Sequence, residues 1–84
     1  MTFSEFAAAL VRSLRVDTSA ECTAATGLFD ELGIDSVQAF EMLIVIEQMA
    51  DLLVPLPQLP EIWTLGDAYS YYQACVIASK AQDI

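Results

Sequence analysis

Ser36 is the side chain of this sequence best placed for chemistry. Its neighbours Gly33-Ile34-Asp35-Ser36-Val37 suit it to carrying a group rather than turning one over. Asp35 stands just before a long apolar-periodic run and has Gln38 three residues on. That is the layout of a helix N-terminus, with Asp35 as N-cap and Gln38 reaching back to it. Gly33 lets the preceding loop turn sharply into the helix. Ser36 then takes the first helical position, its hydroxyl exposed at the positive end of the helix dipole. A phosphate borne there would meet unpaired backbone N–H groups. An isolated Asp-Ser pair is ordinarily no more than a helix cap, so the weight falls on what accompanies it.

Little else in the chain points to catalysis. There is no histidine, hence no ordinary nucleophile triad, and Asp35 is the only acid or base adjacent to Ser36. Cys22 and Cys75 show neither metal-ligand spacing nor an activating partner. A disulfide between them stays open, but one pair in a chain with a real core is not a secreted scaffold. Buried or half-buried thiols in a cytoplasmic protein are the simpler reading. The acids do not follow calcium-loop spacing, and no glycine loop is present to cradle phosphate.

The elements that must position Ser36 follow from periodicity. The 84 residues, 56% of them apolar, make one domain over 1–84 with ample material for one core. Twelve acids against three bases give a net charge of −9, which disfavours nucleic acid and favours basic partners. No secretory signal is expected in the first residues, and no apolar run, 42–46 included, is long enough to span a membrane. Thr2 and Glu5 form a capping box for a first helix over 3–15, with Phe3, Phe6, Ala7, Leu10, Val11 and Leu14 on its apolar stripe. A long connection, 16–34, is then pinned to the core by Leu28, Phe29 and Leu32.

The second helix, from Ser36 to residue 51 or 53, repays a wheel at about 100° per residue. Ala39, Met42, Leu43, Ile46 and Ala50 share a core face. Ser36, Val37, Phe40, Glu41, Ile44, Glu47, Gln48 and Asp51 lie opposite. Polar residues are expected there, yet Val37, Phe40 and Ile44 form an apolar strip rimmed by Glu41, Glu47 and Asp51. Two readings stand: packing of Phe40 and Ile44 under the long loop, or a docking face with an apolar centre and an acidic rim. Three prolines in 54–60 end the helix as a rigid connector, and residues 60–63 suit a short helical turn. Thr64 and Asp67 cap a last helix reaching about Ser79, with Leu65, Ala68, Tyr69, Tyr72, Cys75 and Val76 inward. Tyr69 and Tyr72 read as core aromatics with hydroxyls in water.

The run Leu28-Phe29-Asp30-Glu31-Leu32-Gly33-Ile34-Asp35-Ser36-Val37 resembles the signature of the acyl carrier proteins. In that family a leucine-glycine-any-aspartate-serine-leucine motif precedes the second helix. The similarity continues through Glu41, Glu47, the Val54-Pro55 step and the Thr64 helix start. The resemblance implies an all-α, up-down four-helix bundle with a short third helix and a long first loop. It implies 4′-phosphopantetheine from coenzyme A on Ser36, with Asp35 beside it, and no catalysis by the chain. Val37, Glu41, Ile44 and Glu47 match the family's contact positions. Its partners would be a phosphopantetheinyl transferase and acyl-loading and acyl-processing enzymes with basic docking patches, met by a cytoplasmic monomer without nucleic acid or membrane. Leu56, Leu59, Ile62 and Trp63 would line or close an opening for the acyl chain. Val37 in place of leucine, and prolines where acids are usual, hint at a specialised pathway. An aminoacyl or peptidyl carrier, and an acidic interaction module of the same fold that is never modified, remain as alternatives.

Overall fold

A computed structural model describes residues 1–16, 22–52 and 61–82. Among them the protein is all-α, with three helices: α1 (Phe3–Ser13), α2 (Ser36–Met49) and α3 (Leu65–Gln82). Each begins where a side chain replaces the missing backbone partners of the first turn. At α1, Glu5 N–H donates to Thr2 Oγ1 (3.2 Å) and Thr2 N–H to Glu5 Oε1 (2.9 Å). At α3, Asp67 N–H donates to Thr64 Oγ1 (3.1 Å), while Asp67 Oδ2 accepts the N–H groups of Trp63 (3.0 Å) and Thr64 (3.2 Å). The bond from Thr2 N–H, above all, holds the Glu5 carboxyl below its ordinary range, and that from Trp63 N–H does the same for Asp67.

The first two helices stop earlier than the apolar pattern suggests, at 13 and 49 rather than 15 and 51 or 53. Both stop by the same device. Arg15 (φ 56°) and Asp51 (φ 54°) turn left-handed. The next N–H then reaches back to close the end, Val16 to Val11 carbonyl (3.1 Å) and Leu52 to Glu47 carbonyl (3.0 Å). This is the Schellman arrangement, with an L side chain where glycine is usual. No glycine marks either stop in the sequence.

The core is shared by all three helices and the first loop. Phe6, Ala7, Leu10 and Leu14 meet Met42, Ile46 and Ala50 from α2 and Leu65, Ala68, Tyr71 and Cys75 from α3. Phe3 and Val11 flank the α1 stripe only half-buried, and Ala39 and Leu43 pack at the margin of the core. Tyr71 was not expected inside, whereas Tyr69 and Tyr72 stay half-buried, stacked on each other and tilted against Phe6. The Tyr69 hydroxyl does not end in water: it donates to the Met1 carbonyl (2.7 Å).

The loop before α2 is pinned by Leu28 and Ile34, both buried, with Leu32 partly so. Phe29, expected as a pin, is exposed. Gly27 and Thr64 form an isolated antiparallel bridge, in which Leu28 N–H donates to Trp63 carbonyl (2.9 Å) and Leu65 N–H to Thr26 carbonyl (3.0 Å). Gly66 N–H donates to Ala24 carbonyl (2.9 Å), an approach that a Cβ on Gly66 would block at 2.9 Å from that oxygen. The expected helical turn over 60–63 is not seen in its described part, since residues 61–63 are non-helical. Leu56, Leu59 and the rest of the proline segment lie outside the described residues; Ile62 is buried and Trp63 exposed. No helix among the described residues is long and apolar enough to cross a membrane.

Candidate functional site

Ser36 is the first residue of α2 and is exposed. The turn that delivers it is made by Gly33 at φ 70°, a conformation other residues reach only with strain. A Cβ at Gly33 would meet nothing within 4 Å, so the requirement is of backbone angle, not of space. Ile34, buried next to it, anchors the turn, and its N–H donates to Leu28 carbonyl (3.1 Å).

The capping box forms as the sequence implies. Gln38 N–H donates to Asp35 Oδ1 (2.8 Å), and Asp35 N–H donates to Gln38 Oε1 (3.2 Å). Gln38 has one role that the sequence does not disclose: its Nε2 donates to Leu14 carbonyl (3.4 Å), the C-cap of α1. One side chain thus links the end of α1 to the start of α2. With Asp35 Oδ1 engaged, no hydrogen bond among the described residues involves the Ser36 hydroxyl or the N–H groups of Ser36 and Val37. The site is an open hydroxyl beside open amide donors at a helix N-terminus, with no general base among the described residues aimed at it. Such an arrangement can receive a group and can favour a phosphodiester's negative charge.

The face that continues from Ser36 is apolar and uncovered. Val37, Phe40 and Ile44 are 68%, 66% and 44% exposed, so Phe40 and Ile44 are not packed under the loop. Glu41 is exposed on the same face, and Asp51 is exposed just past the helix end. Glu47 stands apart from them. It is half-buried at the edge of α2, and its Oε2 accepts the Tyr71 hydroxyl of α3 (3.2 Å). Glu47 therefore ties two helices, a role invisible when its position is read only as a rim acid. Asp51 has its own tie through the backbone, where its carbonyl accepts Ser79 Oγ (3.0 Å).

Cys75 does not offer a second reactive centre. Cys75 is fully buried, and burial pushes its thiol upward, away from the thiolate that reactivity requires. Burial also raises the neighbouring Tyr71 phenol, with Cys75 and Glu47 adding to the shift, so it stays a neutral hydrogen-bond donor. Cys22 is half-buried and not bridged to Cys75. Among the described residues no group of histidine, cysteine or acidic side chains is arranged to hold a metal ion.

Comparison of the chain with models of protein families, with curated proteins and with solved structures finds no match.

Proposed function

We propose that this chain is an acyl carrier, a non-catalytic domain on which Ser36 bears 4′-phosphopantetheine. One observation carries the reading: an exposed hydroxyl at the start of a capped helix, continuous with an exposed strip of Val37, Phe40 and Ile44. An exposed apolar strip of this kind marks a surface meant to be covered, and here the covered surface would begin at the attachment point.

The residues present fit the group. Ser36 Oγ would form the phosphodiester, the N–H groups of Ser36 and Val37 would face its charge, and Asp35 would keep the helix start rigid while presenting a carboxylate to the transferase. Since no base among the described residues is aimed at Ser36, proton removal would fall to the transferase. The arm, when attached, supplies a thiol that holds acyl groups as reactive thioesters at high local concentration beside each docked enzyme. Val37, Phe40 and Ile44 would exclude water at the centre of each docking, while Glu41 and Asp51 steer basic patches on partners. A strip this small supports brief encounters, as a carrier visiting several enzymes needs. The finer fold in this reading is a four-helix bundle, its short third helix in the proline segment. The setting is a cytoplasmic monomer serving fatty-acid, polyketide or related secondary-metabolite synthesis, and an aminoacyl cargo would use the same residues.

The test is intact mass after incubation with coenzyme A, magnesium and a broad-specificity phosphopantetheinyl transferase, beside Ser36→Ala. A gain of one phosphopantetheine in the parent and none in the variant is expected. No gain with several transferases would leave an unmodified interaction module, and a gain surviving Ser36→Ala would place the arm elsewhere.

A further inference from the structure

A second uncovered feature lies away from the α2 strip, where the first loop meets the start of α3. Trp63 is 65% exposed and Phe29 38% exposed, and their rings meet edge to face at 5.8 Å and 63°. Tryptophan is highly buried on average, so an exposed one held against another ring is informative in a way that a lone exposed leucine is not. The pair is held by backbone rather than by burial. Leu28 N–H donates to Trp63 carbonyl (2.9 Å), and Trp63 N–H donates to Asp67 Oδ2 (3.0 Å).

These rings line a concave pocket of about 320 Å³ together with Asp30, Glu31, Gly27 and Thr64. Both carboxylates are exposed. Glu31 Oε1 accepts Gly27 N–H (3.2 Å), and the side chain is otherwise exposed. No hydrogen bond within the described residues engages the Asp30 carboxylate. The three bases of the chain, Arg12, Arg15 and Lys80, do not line the pocket, so its charge is not neutralised from within.

We infer that this pocket is a docking notch for an arginine side chain of a partner protein. The charge of the notch calls for a cation, and the aromatic walls call for a flat one. A guanidinium can stack on an indole or phenyl face while its N–H fork reaches a carboxylate, whereas an ammonium is a compact, strongly hydrated point charge. The volume sits at the lower end for small-molecule sites and suits one side chain rather than a free ligand enclosed on its own. The notch does not depend on Ser36, so it stands or falls independently of the carrier reading.

The single tryptophan makes the test direct. The full chain at low salt is titrated with acetyl-Gly-Arg-Gly-Arg-Gly-amide, with its lysine counterpart, and with its citrulline counterpart. Trp63 emission and amide resonances are followed, the Trp63 indole included. The arginine peptide should move the Trp63 indole and the Asp30 and Glu31 amides first. It should bind about threefold more tightly than the lysine peptide, and the citrulline peptide should have no effect. Trp63→Ala, followed by the Asp30 and Glu31 amides because the indole is gone, and Asp30→Asn, followed by the Trp63 indole, should each weaken the arginine response several-fold without loss of helicity. Equal arginine and lysine affinities with shifts spread over all the acids would reduce the effect to general charge attraction and overturn the notch. A silent Trp63 indole at millimolar peptide would overturn it as well. Repeating the titration on Ser36→Ala should give the same curve, which separates this result from the fate of the carrier reading.

Discussion

α1 and α2 are of similar length and both help to bury the same core, yet they treat their outer faces oppositely. On α1 the exposed positions are Ser4, Glu5, Ala8, Arg12 and Ser13, all polar or small, and the large apolar residues turn inward. On α2 the inward face holds Met42 and Ile46, and the outer face keeps Val37, Phe40 and Ile44 in solvent beside Ser36. The first is a helix built for folding alone. The second carries more apolar surface than the fold uses, and in the function proposed above a partner covers that surplus. Stability and recognition are therefore written on different helices, and mutations should separate them.

The widest separation is between two phenylalanines. Phe6 is fully buried on α1, and Phe6→Ala should cost about 3–5 kcal/mol, a large part of the stability of so small a domain. Phe40→Ala should change stability by less than about 0.5 kcal/mol, because the ring is already in water. Its effect should fall on loading by partner enzymes. Urea unfolding with the transferase assay separates the two, and equal stability losses would end the distinction between the helices.

The acids of α2 split the same way. Glu41→Lys should slow loading in a salt-dependent manner and leave the unfolding midpoint in place. Glu47→Gln and Tyr71→Phe should each cost about 1 kcal/mol by weakening or removing the hydroxyl–carboxylate tie between α2 and α3. A double-mutant cycle should show the two losses to be strongly non-additive; additive losses would mean the tie contributes nothing.

The end of α2 offers a gain. Asp51 holds a left-handed conformation that glycine adopts without steric cost, so Asp51→Gly should stabilise the protein by about 0.5 kcal/mol. A lowered melting temperature would show that the Asp51 side chain supplies a contact worth more than the strain.

The smallest effect is in acid. Glu5 and Asp67 are both depressed in the folded state, so each contributes stability that is present above its ordinary range and is lost as pH falls through the folded value. Melting temperature should decline as pH drops from about 5 toward 2, and Glu5→Gln with Asp67→Asn should flatten that slope. An unchanged slope would place the acid sensitivity elsewhere.

Much of the architecture is local and was legible for that reason. A capping box joins residues only three apart, so Thr2–Glu5, Asp35–Gln38 and Thr64–Asp67 could be read directly as helix starts. The α2 wheel needed only a helical period to set Val37, Phe40 and Ile44 opposite Met42 and Ile46. What the sequence could not decide depends on residues far apart in the chain. Gln38 meets Leu14, and Tyr71 meets Glu47, each 24 residues away. Phe29 meets Trp63 across the bridge of Gly27 and Thr64. Such contacts have no period and no motif; they exist only once the helices and the loop have packed together. The helix ends were hidden for a related reason, since a left-handed Arg15 or Asp51 is held by the reach of the following chain and not by its own preference. Sequence alone determined where helices begin and which faces are apolar. Tertiary structure alone decided which apolar residues stay uncovered, because exposure depends on whether another part of the chain arrives to cover them.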